Sequence, residues 1–191
     1  MKKGKIFIMS GPSGSGKTTL YKKILCSRKL KDKLEKSISV TTRSKRVGEQ
    51  QGRDYFFVSR RMFFYKKQAG QFLECQKVFD NYYGTPRKHV RDILQRGKSV
   101  LLCIDVKGAR VVFKKIPQAI RIFIKVPSLA VLRRRLEKRG SETKTTGRLR
   151  LKTALDELKE AKFYDYVVVN DRLEKTYKKI EKTILAELKK G

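Results

Sequence analysis

Near the start of the chain, Gly11-Pro12-Ser13-Gly14-Ser15-Gly16-Lys17-Thr18 fits the pattern G-x-x-x-x-G-K-[ST]. Glycines remove the Cβ atoms that would hold a phosphate away and permit positive φ, so successive main-chain N–H groups can turn inward around an anion. Lys17 adds a point charge for the outer phosphates, and the helix expected behind it aims the positive end of its dipole at the same place. The Thr18 hydroxyl is positioned to ligand Mg²⁺, and Thr19 follows it into the helix. The apolar run over residues 5–10 stops at Gly11-Pro12 and reads as a buried strand, which gives the loop the strand-to-helix setting its mechanism requires. Residues 11–19 are therefore expected to hold a nucleoside triphosphate.

A second group of residues suits a second phosphate. Residues 39–58 combine Arg43 and Arg46 with hydroxyl groups and Tyr55. Arginine forks match phosphate oxygens in a bidentate way, and a tyrosine hydroxyl donates one further hydrogen bond. Further along, Glu74 stands alone in a neutral stretch and is followed by Asn81-Tyr82-Tyr83-Gly84-Thr85. A lone carboxylate near hydroxyls can read a base: guanine offers adjacent N1–H and N2–H donors on one edge, and its O6 accepts from a hydroxyl. Tyr82, Cys75 and the single His89 read as packing or surface residues.

A third group is cationic. Arg135 and Arg139 are four residues apart and share a helix face, and Arg150 returns from the following helix across the 140–147 segment. In phosphoryl transfer the charge spreads over the oxygens of the moving group, so placed cations and Mg²⁺ do most of the work. An anionic phosphate acceptor needs no general base, and in-line placement dominates.

The elements that must position these groups follow from the hydrophobic pattern. Apolar runs recur at 99–104, 120–126 and 166–169, separated by stretches with helical spacing, the mark of a parallel sheet flanked by helices. Leu151, Ala154, Leu155, Leu158 and Ala161 keep a helical rhythm, as do Leu173, Tyr177, Ile180, Ile184 and Leu188. Residues 37–89 break the alternation, with strand-like pieces at 37–42, 54–58 and 72–79 and a helix-like piece at 60–68, and read as an inserted lobe. Residues 139–147 lack an apolar face and read as a mobile lid with Gly140 and Gly147 as candidate hinges.

Composition narrows the class. The 191 residues are 39% hydrophobic, enough for a core without staples. No apolar run approaches the ~20 residues of a membrane helix, and the basic start is followed by too short an apolar run for a signal peptide. Three dispersed cysteines suit a reducing, cytoplasmic setting, and one histidine leaves too few ligands for zinc. The formal charge of +31 is spread along the chain rather than gathered in an arm, so a solvated basic surface with nonspecific polyanion affinity is expected, without a specific nucleic-acid partner.

In their order, the loop at residues 11–18, the 39–55 stretch, the 74–85 segment, the arginine-rich lid and Val168-Val169-Asn170-Asp171 resemble the guanylate kinases of the nucleoside monophosphate kinase group, over nearly the whole length. The resemblance implies an α/β fold of the P-loop NTPase type, a parallel β-sheet flanked by helices, with an inserted mixed α+β GMP-binding lobe and a helical lid. The core would be about 1–36, 90–134 and 156–191, the lobe about 37–89 and the lid about 135–155. The implied reaction is Mg²⁺-dependent transfer of the γ-phosphoryl group of ATP to GMP, giving ADP and GDP, with dGMP also accepted because no residue clearly reads the 2′-OH.

By the same resemblance Arg43, Arg46, Tyr55 and Tyr83 would hold the GMP phosphate, while Ser39, Glu74 and Thr85 would contact guanine. Asp105 would serve the base and the Mg²⁺ environment, and Asn170 would lie near adenine. Lys17, Arg135, Arg139 and Arg150 would carry catalysis. Three departures stand out: Cys103 where an acidic residue is usual, Lys107 where a glutamine is common, and Gly147 in place of an apolar lid residue. Two other readings are a binding module of the same fold that has lost turnover and grips a phosphorylated peptide, and a kinase of sugar phosphates. The intact Lys17, Thr18 and arginines weigh against the first, and Glu74 with Ser39 and Thr85 against the second.

Overall fold

The computed structural model describes residues 4–78, 80–137 and 144–190, with residues 136, 137 and 144–150 described by their backbone alone. At its centre is β1 (Ile6–Ser10), every residue of which is buried. A strand covered on both faces has no reason to alternate, which is why it reads as a continuous apolar run. Parallel to it lie β2 (Leu34–Lys36), β7 (Ser99–Cys103), β8 (Ile120–Lys125) and β9 (Tyr166–Val169), in the order β2-β7-β1-β8-β9.

The two faces of this sheet bury different helices. Ile6 and Ile8 point to the face where Val90 and Ile93 of α3 (Arg87–Gln95) and Ala109 and Val112 of α4 (Val106–Lys115) close the core. Phe7 and Met9 point to the other, against Leu20 and Ile24 of α1 (Lys17–Leu25) and Ile180 and Ile184 of α7 (Leu173–Lys189). Successive side chains of a strand face opposite ways, so one five-residue strand anchors both layers. The carboxyl ends of β1 and β7, at Ser10 and Cys103, meet on one edge, the edge where open α/β sheets bind ligands.

A second, four-stranded sheet has the order β4-β3-β6-β5. Here β3 (Val40–Thr41) runs parallel to β4 (Phe56–Phe57) and antiparallel to β6 (Asn81–Pro86), which pairs antiparallel with β5 (Phe72–Val78). It has a small core of its own, in which Phe63 of α2 (Arg60–Gln68) stacks on Phe72 at a centroid distance of 4.8 Å beside Val40. Ser59 caps α2 by accepting from the Met62 N–H.

Several boundaries differ from the sequence reading. The strand expected at 37–42 pairs only over Val40–Thr41, and Leu34–Lys36 just before it belongs to the large sheet. The segment 139–147, read as a mobile lid between two helical patterns, is already helical from Lys144, where α6 (Lys144–Lys159) begins after α5 (Leu129–Glu137). Gly147 therefore lies inside a helix rather than at a hinge, while Arg139 and Gly140 lie outside the described residues. The return helix is held by Ala154, buried with Leu132 of α5 and Val126. Among the described residues no helix is long and apolar enough to cross a membrane.

Candidate functional site

The loop between β1 and α1 has the backbone its spelling predicts. Gly16 takes φ +84° as the cap of α1, and a Cβ there would fall 2.4 Å from the Asn170 amide nitrogen. Gly11 has φ +151°, and a Cβ on it would meet the Ile124 carbonyl at 2.3 Å. No other residue satisfies both constraints. Lys17 Nζ folds back onto the loop, donating to the carbonyls of Gly11 at 3.0 Å and Pro12 at 3.4 Å. Thr18 and Thr19 are exposed at the start of α1.

Asn170, expected near adenine, has its side chain committed to the loop itself: Nδ2 donates to the Ser15 carbonyl at 2.7 Å, and the residue is buried. Arg135 of α5 approaches the same place, donating to the carbonyls of Asn170 at 3.3 Å and Gly14 at 3.5 Å. Of the other lid arginines, Arg150 has its backbone in α6.

The second site is built on the small sheet. Glu74 of β5 and Thr85 of β6 are register partners beside an irregularity between Phe72 and Glu74, and the Thr85 hydroxyl donates to Glu74 Oε1 at 2.6 Å. Both residues are buried. Burial pushes the Glu74 carboxyl up to about 7; the Thr85 hydrogen bond opposes that shift, Asp105 adds to it, and Lys115 opposes it. Ser39 lies half-buried just before β3.

Arg43 Nη2 donates to both carboxylate oxygens of Glu49, at 2.7 and 3.0 Å; the guanidinium also reaches the Tyr83 hydroxyl and lies 5.4 Å from the centroid of the Tyr55 ring. Tyr55 and Tyr83 meet edge to face with centroids 6.0 Å apart. Arg46 is exposed and gives its main-chain N–H to Glu49 Oε2 at 2.9 Å. Arg43, Tyr55 and Tyr83 thus form one cluster, with Arg46 joined to it through Glu49.

Asp105 stands between the two sites. It caps α4 by accepting the Gly108 N–H at 2.7 Å, and the Ser10 hydroxyl at the end of β1 donates to the carbonyls of Ile104 at 2.7 Å and Asp105 at 3.3 Å. Cys103 keeps a neutral thiol, because burial pushes it up to about 11 against the opposing charge of Lys17. It supplies no carboxylate charge at this edge.

Two acidic residues of the site escaped the sequence reading. Glu49 holds Arg43, and its only signal was an acid within a basic stretch, six residues on. Glu157, from α6, faces the Ser13 main-chain N–H, Lys17, Asp105 and Lys107; burial raises its carboxyl, and Lys17 pulls the other way. His89 has a structural task, its Nδ1 accepting the Ile38 N–H at 3.1 Å. Among the described residues no three His, Cys, Asp or Glu side chains gather as a metal-binding group.

Comparison with known proteins adds a family to this geometry. The guanylate kinase family model matches residues 3–187. The chain is 43% identical to a guanylate kinase of Rickettsia prowazekii (strain Madrid E), over 99% of this chain and 94% of that protein. It is also 43% identical to one of Carboxydothermus hydrogenoformans, over 98% and 90%. Its fold superposes on the crystal structure of guanylate kinase from Anaplasma phagocytophilum with a TM-score of 0.80 at 36% identity, covering 100% of this chain and 89% of that one.

Proposed function

The chain belongs to the guanylate kinase family, and from that membership we propose how its residues divide the family's reaction. The protein is an ATP:GMP phosphotransferase, moving the γ-phosphoryl group of ATP to GMP to leave ADP and GDP. No comparison favours a module without turnover. The observation that carries our assignment of sites is the buried Glu74–Thr85 pair, a carboxylate held at 2.6 Å by a hydroxyl next to Asp105 at the edge of the phosphate loop. Burial raises that carboxyl to about 7, so its ionised form lacks compensation in the empty site, and the paired N–H donors of guanine would supply it.

Residues 11–19 cradle the ATP phosphates. Lys17 exchanges its two carbonyl partners for phosphate oxygens, a swing within reach of its flexible stem. Asn170 serves ATP indirectly, by bracing Ser15 from behind. On the acceptor side Arg43, Arg46, Tyr55 and Tyr83 take the GMP phosphate, with Ser39, Glu74, Thr85 and Asp105 on the base. Nothing in this set reads the ribose 2′-OH, so dGMP is an acceptor as well. Arg135, Arg139 and Arg150 bring positive charge over the transferring group as the lid closes and water is excluded. We keep the division into a core, a GMP lobe at about 37–89 and a lid at about 135–155.

The donors at the loop edge, the Thr18 hydroxyl and the Asp105 carboxylate, are hard oxygens. They fit Mg²⁺, which draws most of its ligands from phosphates and water and so needs no cluster of acidic residues. Bound there, it would neutralise charge on the β- and γ-phosphates. The three free cysteines and the lack of a membrane-crossing helix among the described residues support a cytoplasmic setting.

The test is a panel of acceptors. Purified protein with Mg·ATP and GMP, dGMP, AMP, CMP or UMP is followed by ADP release. Release is expected with GMP and dGMP alone, since a site of buried hydrogen-bonding groups rejects a wrong base by roughly 10⁴-fold. Equal rates with AMP would remove Glu74 from its place on guanine.

A further inference from the structure

We propose that Gly108, in the first turn of α4, is a specificity-determining position: the missing side chain leaves the space in which the Glu74 carboxylate lies to meet guanine. A Cβ built at this position falls 2.6 Å from Glu74 Oε2, 3.2 Å from its carboxyl carbon and 3.3 Å from Asp105 Oδ1. Gly108 has no positive φ, so the backbone does not require glycine there. Inside a helix glycine is a poorer choice than alanine. What the position gains from glycine is room, and the room is filled by a carboxylate.

The helix and the strand cannot simply draw apart. The other oxygen of Glu74 is held by Thr85 at 2.6 Å, and Glu74 is 5% exposed. The helix is tied to the same strand at its far end, where Lys115 Nζ donates to the Leu73 carbonyl at 2.6 Å. A methyl group at 108 therefore acts on the movable part, the tip of the Glu74 side chain, and turns it away from the base. The Asp105 cap uses the main-chain N–H of residue 108, and Asp105 Oδ1 need give only a few tenths of an ångström to keep that bond. The expected result is a protein that stays folded, keeps its ATP site and loses its hold on guanine.

The inference rests on Glu74 as the reader of guanine, so its test carries a control for that reading. Wild type, Gly108→Ala, Glu74→Gln and the double variant are compared with GMP and with IMP, which lacks the exocyclic amine. Melting temperature and the KM for ATP are measured alongside. Gly108→Ala is expected to raise the KM for GMP about tenfold or more and to lower the GMP-to-IMP ratio of kcat/KM, with melting temperature and the KM for ATP held. In the Glu74→Gln background the alanine should lower that ratio no further. If Glu74→Gln lowers the ratio and Gly108→Ala does not, the role of Gly108 is refuted while Glu74 keeps its own. If Glu74→Gln leaves the ratio intact, both fail. A Gly108→Ala protein that does not fold also overturns the proposal, which requires the fold to tolerate the methyl.

Discussion

The side-chain amide of Asn170 donates to the carbonyl of Ser15 across 2.7 Å, so the residue that follows β9 braces the phosphate loop from its buried side. Asn170→Ala strands a buried carbonyl, at a cost of about 1–3 kcal/mol. Because the stranded group belongs to the loop, the damage should be specific. The KM for ATP is expected to rise severalfold, the KM for GMP to stay put and the melting temperature to fall. Steady-state kinetics with each substrate varied in turn, together with a thermal melt, check this; an equal rise in both KM values would contradict it.

Glu74 makes stability and binding depend on pH in opposite directions. Its carboxyl sits at about 7 in the fold against 4.5 for the free group. The protonated form suits the folded state, so its contribution to stability is complete below about pH 4.5 and is lost as the pH rises through 7, on the order of 3 kcal/mol in all. Guanine needs the ionised form. GMP binding just below pH 7 should therefore release a proton, measurable by calorimetry in two buffers of different ionisation enthalpy. Glu74→Gln should remove both the release and the loss of unliganded stability between pH 5 and 8.

The parts of this molecule that act through local chemistry were readable in its sequence. The phosphate loop is contiguous and its glycines answer a steric demand, so residues 11–18 announced both the site and the strand before it. Glu74 stood out as a lone acid, and α2 matched its expected span because capping and period are local. What stayed hidden depends on distant partners. The strand β6, with the sequence Asn-Tyr-Tyr-Gly-Thr-Pro, has no clean alternation and exists through its ladders with β3 and β5. The three residues of β2 are too few to show a period, and only β7 beside them makes them a strand. Asn170 was expected near a base by resemblance, and its bond to a main chain 155 residues away left no sign in the sequence.

The three thiols should separate by reactivity. Cys26, at the end of α1 away from Lys17, is exposed. Burial raises both Cys75 and Cys103, the latter to about 11. At pH 8 one thiol per chain is expected to react quickly with a thiol reagent and the others slowly, since the thiolate is the reactive form. Mass spectrometry of the modified protein should find the label on Cys26 and the kinase activity retained. Fast labelling of Cys103 would mean that its thiol is ionised beside Lys17 and stands in for a carboxylate after all.

Glu157 bears on how ATP enters. In the unliganded protein its carboxyl, carried by the return helix of the lid, faces the Ser13 N–H and Lys17, two groups the loop offers to phosphate. An incoming triphosphate competes with it for both and is repelled by it, and Asp105 nearby adds to the repulsion. Glu157→Gln keeps the shape and removes the charge. ATP without metal should then bind roughly fivefold more tightly, about 1 kcal/mol for one unit charge a few ångströms away in a solvated cleft. The gap between variant and wild type should narrow as salt is added, because screening weakens the repulsion in the wild type. Isothermal titration at low and high ionic strength measures both effects. Weaker ATP binding by the glutamine variant, confined to Mg²⁺-containing buffer, would instead put Glu157 with Thr18 and Asp105 among the groups that serve the metal.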